Sequence, residues 1–195
     1  MRHGETRHNL VGLDCGVCLQ AMRVAEALTS LATVALYISP TTRALENSTI
    51  ISQRLRIEVC LRDSLSEVDI RLLDGLIQDE MCQQSPGFMK TWPNDASTAV
   101  MPGGESVLQA QELAWNTIEE IRGLHPEEDV AVVSYNFTIL GLGCKLLGMP
   151  LSNFRRLRLD LTSITQMKIH QEKAILIRYN DQCHPEDLEE DGESD

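Results

Sequence analysis

The chain has 195 residues, a length that suits one domain with a sizeable core and is short for two. Its formal net charge of −12 argues against nucleic acid or an anionic membrane surface as a partner. No run approaches the ~18 consecutive apolar residues of a membrane span, and no secretory signal is visible, so we expect a cytoplasmic location. Acidic residues crowd the end of the chain, which predicts a disordered tail at 183–195 after one domain at 1–182.

Helical and strand patterns alternate along the chain. Apolar residues at helical spacing predict helices, and short apolar runs between turn residues predict strands. In chain order these are a helix at 19–31, a strand at 33–38, a helix at 43–54, a weaker strand at 56–61, a helix at 106–124, a strand at 129–134, a helix at 137–147 and a strand at 174–179. Residues 78–101 contain Pro86, Gly87 and Pro93, which predict an irregular surface excursion over the site.

This alternation predicts a three-layer α/β/α domain with a largely parallel sheet. In such sheets the active site lies at the carboxyl ends of the strands. The cysteines are scattered, and Cys15 and Cys18 form a CxxC spacing with no second pair to complete a zinc site. We interpret them as reduced structural thiols, with metal or redox chemistry as the alternative.

The most specific feature is the segment Arg2-His3-Gly4-Glu5-Thr6, followed by Asn9. A neutral imidazole is a competent nucleophile toward phosphorus, and an adjacent guanidinium can hold phosphate oxygens bidentately. The glycine allows close approach of the backbone. The alternative interpretation is a chance cluster at a charged N-terminus.

This segment resembles the RHGE[ST]xxN signature of the histidine phosphatase superfamily, of the phosphoglycerate-mutase type. Further stretches follow in that family's order. Residues 39–44 (SPTTRA) resemble its SSPLxRA segment, residues 65–75 its LxExDxGxWEG segment, and residues 103–106 its GGES element. Residues 146–150 and 159–165 match its closing segments. The resemblance therefore covers nearly the whole chain before the acidic tail.

The resemblance implies a phosphoglycerate-mutase-like fold and a phosphomonoesterase mechanism. His3 would attack the phosphoryl group and form a phosphohistidine, while Glu67 would protonate the leaving oxygen and then activate water. Arg2, Arg43 and Asn9 would hold the phosphate. The substrate would be a small phosphorylated molecule, and no metal or organic cofactor is needed. Outside this context, Arg43 would be a surface helix residue and Glu67 a solvated carboxylate.

One departure concerns the second active-site histidine, which the family carries in a VSHG or VSHN turn after a strand. Here that turn reads VSYN, with Tyr135 in the histidine's place. A tyrosine hydroxyl brings no positive charge, and losing one positioned donor typically costs on the order of 10²–10³ in rate. The remaining histidines lie outside the motif, and we interpret them as ordinary surface or loop residues: His8, His125, His170 and His184.

Other departures lie at the N-terminus and in the loops. Only Met1 precedes Arg2, so the first, central strand is expected to be truncated. Either the true start of the protein lies upstream, or the chain is a naturally truncated and weakened copy. The loop at 10–16 is shorter than usual for the family, and Arg71 and Leu73 alter the expected substrate wall. These changes leave the substrate open, and the oligomeric state is not predicted.

Three functions remain in competition. The first is a phosphomonoesterase of the histidine phosphatase type, impaired by Tyr135. The alternative is a catalytically inactive, phosphate-binding pseudophosphatase. Phosphoglycerate mutase is the weakest hypothesis, because shielding a phosphohistidine from water usually requires longer covering loops than this chain offers.

Overall fold

The computed structural model describes residues 14–73, 75–170 and 173–182, without the side chains of residues 14–19 and 43. The N-terminal motif at 2–9, the first strand that the sequence analysis expects to be truncated, and the tail at 183–195 lie outside the described residues. Within the described parts of the chain, no helix is both long enough and apolar enough to cross a bilayer.

Helices and strands alternate through most of the described chain, as the sequence predicts. The strands are β1 (Ala35–Ile38), β2 (Glu58–Leu61), β3 (Val130–Val133), β4 (Ile164–His170) and β5 (Lys173–Asp181). The helices are α1 (Asp14–Thr29), α2 (Thr42–Leu55), α3 (Gln78–Gln84), α4 (Pro86–Thr91), α5 (Val107–Leu124) and α6 (Asn136–Leu146). Short 3₁₀ turns lie at Asp63–Leu65, Arg71–Leu73 and Leu151–Arg156.

Within the described residues, the main sheet has the strand order β2-β1-β3, and all three of these strands run parallel. The pairing is in step, with Ile38 at the end of β1 opposite both Leu61 and Val133. The carboxyl ends of the three strands therefore lie at one edge of the sheet. β4 and β5 form a separate antiparallel hairpin.

Strand β1 lies at the centre of the packing and is buried on both faces. Leu36 and Ile38 pack with residues of α1 and α2, whereas Ala35 and Tyr37 pack with residues of α5 and α6. A strand covered on both sides needs apolar residues at every position, which explains the continuous run Ala35–Ile38. Helices therefore cover both faces of a parallel sheet, and the predicted α/β/α layering is confirmed.

The prediction of an irregular segment at 78–101 was wrong for its first half. The segment forms α3 and α4, which are separated only by Ser85. Pro86 begins α4, where its missing N–H costs nothing because that group has no partner within the helix. The Glu80 carboxylate accepts the Ile77 N–H at 3.0 Å and so caps α3. The proline divides two helices instead of preventing them.

One helix boundary and one whole strand also differ from prediction. Helix α1 begins at Asp14 instead of residue 19. The strand β4 was not predicted, because its sequence ITQMKIH mixes polar and apolar residues without clean alternation. β4 is held by hydrogen bonds to its pairing partner β5, which the local sequence pattern does not show.

Three cysteines have described side chains: Cys60, Cys82 and Cys144 are free thiols. Cys144 is fully buried in α6, and this burial raises the pKa of its thiol. A thiol held protonated is a poor nucleophile and metal ligand, which agrees with the structural role predicted for it.

Candidate active site

The turns after β1 and β3 lie side by side, because these two strands are parallel neighbours. The chain leaves β1 at Ile38 and enters α2 at Thr42, and it leaves β3 at Val133 and enters α6 at Asn136. The starts of both helices therefore lie at the carboxyl edge of the sheet, where the sequence places the active site. Exposed backbone N–H groups and the positive ends of helix dipoles favour anions at such a place.

Tyr135 is packed into this edge and is only 2% exposed. Its hydroxyl contacts the Thr41 hydroxyl and accepts a hydrogen bond from Ser39 Oγ at 3.4 Å. The hydroxyls of Ser39 and Thr41 are themselves 3.0 Å apart. Ser39, Thr41 and Tyr135 thus form a hydroxyl cluster that joins the turn after β1 to the turn after β3.

Glu67 lies beside the first turn of α6. The N–H of Phe137, the second residue of that helix, donates to both carboxylate oxygens of Glu67, at 3.1 and 3.3 Å. The Val68 N–H donates to one of the same oxygens at 3.1 Å. A carboxylate at a helix N-terminus also gains about 0.3–1 kcal/mol from the helix dipole. The side chain is thereby oriented toward the site edge.

Two buried hydroxyls fix the chain around Glu67. Ser134 Oγ donates to the Leu65 carbonyl at 2.6 Å, and Thr138 Oγ1 donates to the Ser66 carbonyl at 2.7 Å. Ser134 and Thr138 are 0% and 1% exposed. Because both donors flank the start of α6, the position of Glu67 depends on the turn that carries Tyr135.

The segment that resembles GGES supports the residues after Glu67. The Asp69 N–H donates to Glu105 Oε1 at 3.1 Å, and the Glu105 N–H donates to the Asp69 carbonyl at 3.2 Å. A Cβ on Gly104 would lie 1.8 Å from the Asp69 carbonyl oxygen, so only glycine permits this approach. Ser106 then caps α5 by accepting the Gln109 N–H at 3.2 Å.

The structure brings some of the predicted site residues together. Glu67 and Tyr135 lie at the same edge of the sheet, and Arg43 is the second residue of α2, directly after the hydroxyl cluster. The side chain of Arg43 lies outside the described residues, as do Arg2, His3 and Asn9. Within the described ranges no three histidine, cysteine, aspartate or glutamate side chains are grouped to hold a metal ion.

A cleft of about 390 Å³ opens next to the first turn of α6, and the sequence analysis did not find it. We call it the aromatic cleft, and the residues that line it are Trp92, Asn136, Phe137, Leu140, Phe154, Arg155, Leu157, Arg158 and Leu159. Trp92 stands edge-on to Phe137, and Phe137 edge-on to Phe154, both with ring centroids 5.8 Å apart. Phe88 stacks on Trp92 at 5.3 Å.

The sequence offers one signal for this cleft. Aromatic residues make up only 4% of the chain, yet all three phenylalanines and one of the two tryptophans gather here. They come from three separate parts of the chain, with only Phe88 and Trp92 close in sequence, so only the fold shows that they meet. Trp92 directly follows α4, and the segment predicted as a surface excursion therefore supplies one wall of the cleft.

A family model and solved structures both relate this chain to phosphatases. The model of the histidine phosphatase superfamily (branch 1) matches residues 1–182. Phosphoserine phosphatase 1 of Hydrogenobacter thermophilus is 25% identical over 193 residues, which cover 94% of this chain and 92% of that protein.

Solved structures share the fold over almost the whole chain. Bacillus stearothermophilus YhfR superimposes with a TM-score of 0.84 at 23% identity, over 94% of this chain and 96% of its own. A mycobacterial glucosyl-3-phosphoglycerate phosphatase in complex with VO3 superimposes with a TM-score of 0.78 at 25% identity, over 92% and 96%. Because the family model covers far more than half of the sequence, the chain belongs to the histidine phosphatase superfamily (branch 1).

Proposed function

We propose that the protein is a phosphomonoesterase that hydrolyses small phosphorylated substrates through a phosphohistidine at His3. The observation that carries this proposal is the anchoring of Glu67 by the first turn of α6, at the edge where the strands β1 and β3 end. A carboxyl group held at this edge supports the role of proton donor to the leaving oxygen. Relatives named as phosphatases of phosphoserine and of glucosyl-3-phosphoglycerate support the same class of reaction.

The proposed reaction has two steps. A ring nitrogen of His3 attacks phosphorus as the bond to the leaving oxygen breaks, and Glu67 gives its proton to that oxygen. Water then attacks the phosphohistidine, Glu67 takes a proton from it, and inorganic phosphate and free His3 result. Arg2, Arg43 and Asn9 hold the phosphate oxygens and stabilise their charge in both steps.

Tyr135 sets the expected rate. Its hydroxyl is neutral, and it is engaged by the hydroxyls of Ser39 and Thr41. Compared with a relative that has histidine there, the chain is expected to lose on the order of 10²–10³ in turnover, which is the usual effect of removing one positioned donor. The same observation favours the second candidate function, a catalytically inactive protein that binds phosphate.

The test is hydrolysis of phenyl phosphate by the full chain and by three variants. His3→Ala is expected to abolish turnover and Glu67→Gln to reduce it strongly, whereas Tyr135→His raises it. His170→Ala is the matched control, since His170 is exposed at the end of β4. Equal rates for His3→Ala and His170→Ala would refute the nucleophile. No turnover, with a melting temperature raised by inorganic phosphate, would support the inactive phosphate-binding protein.

A further inference from the structure

The aromatic cleft is lined by Phe137, the residue that also holds the proposed acid Glu67. Phe137 donates its backbone N–H to the Glu67 carboxylate, and the same residue lines the cleft with Asn136 before it. If Glu67 protonates the leaving oxygen, the organic group attached to that oxygen must lie beside Glu67. The cleft is the space next to that position, so it can hold the leaving group of the substrate.

The lining of the cleft selects for flat apolar groups. Trp92, Phe137 and Leu157 form its accessible apolar wall. Phe154, Leu140 and Leu159 lie behind that wall and are buried. None of the lining residues is acidic. An amino group on the substrate would therefore find no carboxylate in the wall, and a phosphoserine-like leaving group fits poorly.

Two arginines line the cleft, but they differ in their partners. Arg158 is paired with Asp160 at 2.8 Å. The guanidinium of Arg155 lies over the Trp92 ring, 4.8 Å from its centroid, and makes a long contact of 3.5 Å with the Pro93 carbonyl. Among the described residues no ion pair of Arg155 is found. Stacking fixes the plane of a guanidinium and leaves its edge available for a carboxylate.

We propose that the aromatic cleft binds the leaving group of aryl phosphates that carry a carboxylate, with the ring against Phe137 and the carboxylate on Arg155. This inference rests on the proposed phosphatase function and names the substrate class for it.

The test compares three substrates: 4-carboxyphenyl phosphate, phenyl phosphate and phospho-L-serine. The expected order of kcat/KM is the order given. Arg155→Gln is expected to lower kcat/KM for 4-carboxyphenyl phosphate about tenfold or more, mainly through KM, and to lower kcat/KM for phenyl phosphate by a clearly smaller factor. Arg156→Gln is the matched control, because Arg156 is an exposed neighbour that does not line the cleft. Trp92→Leu is expected to weaken both aryl substrates.

An equal effect of Arg155→Gln on both aryl phosphates would overturn the contact with the carboxylate. A preference for phospho-L-serine would overturn the assignment of the cleft. Binding separates this inference from the proposed function, because calorimetry with 4-carboxyphenylphosphonate needs no turnover. Binding that Arg155→Gln weakens and Arg156→Gln does not would support the cleft even in an inactive protein. Absence of binding to a folded chain would overturn it.

Discussion

The hydroxyl of Thr138 is expected to determine how well Glu67 is held. Thr138→Val keeps the shape of the side chain but removes the donor that lies 2.7 Å from the Ser66 carbonyl. Thr138 is 1% exposed, so water cannot easily replace the lost donor. A partly buried acceptor left without its donor costs about 1–2 kcal/mol. For a domain of this size, that lowers the melting temperature by about 2–8 °C.

Thermal unfolding followed by circular dichroism measures the first effect, and phenyl phosphate kinetics measure the second. A positioning role predicts a lower kcat with KM little changed, since Thr138 acts only through the segment that carries Glu67. Thr49→Val is the matched control: its hydroxyl donates to the Leu45 carbonyl on the exposed side of α2, where loss costs at most about 0.5 kcal/mol. If both variants melt together and keep the wild-type kcat, the reasoning fails.

Two further predictions each compare a pair of matched positions. Tyr37→Phe is expected to lower the free energy of unfolding by about 1 kcal/mol, because the Tyr37 hydroxyl lies 2.8 Å from His125 Nε2. Tyr179→Phe removes a buried hydroxyl that has no partner among the described residues, and it is expected to raise the free energy of unfolding. Burial, as the main cause, raises the pKa of both phenols, so the unfolded chain ionises first above about pH 10; each variant should lose less stability to alkali in urea titrations at increasing pH. Gly104→Ala should lower the free energy of unfolding in urea by at least about 1–3 kcal/mol, because its Cβ would meet the Asp69 carbonyl. Gly123→Ala has open space around it and should stabilise α5 by about 0.5–1 kcal/mol.

The order of helices and strands could be predicted because apolar residues recur at the spacing of the buried face of each element. Residues 33–38 read as a buried strand, and β1 is buried on both faces. The local pattern failed where partners decide the structure. Strand β4 depends on hydrogen bonds to β5, and Gln78–Thr91 forms two helices because Pro86 stands at a helix start.

The candidate site was predictable only as far as its motifs reach. The motifs name Glu67 and Tyr135, and the fold shows both beside the first turn of α6. Their catalytic roles stay predictions. What supports Glu67 comes from Ser134 and Thr138, whose hydroxyls bond carbonyls about 70 residues away in the chain. Such long-range hydrogen bonds leave no local signal. The aromatic cleft escaped prediction for the same reason.

The surroundings of Tyr135 limit what a single reversion can restore. Tyr135→His supplies the charge that the family places at this position, but the shorter imidazole no longer reaches the contacts that the phenol makes with Ser39 and Thr41. Thr41 precedes the first residue of α2, so a change there also moves the helix start that carries Arg43. The gain in turnover from the reversion should therefore be smaller than the factor expected for one positioned donor, which is on the order of 10²–10³. A full gain would mean that the hydroxyl cluster contributes nothing to the geometry of the phosphate site.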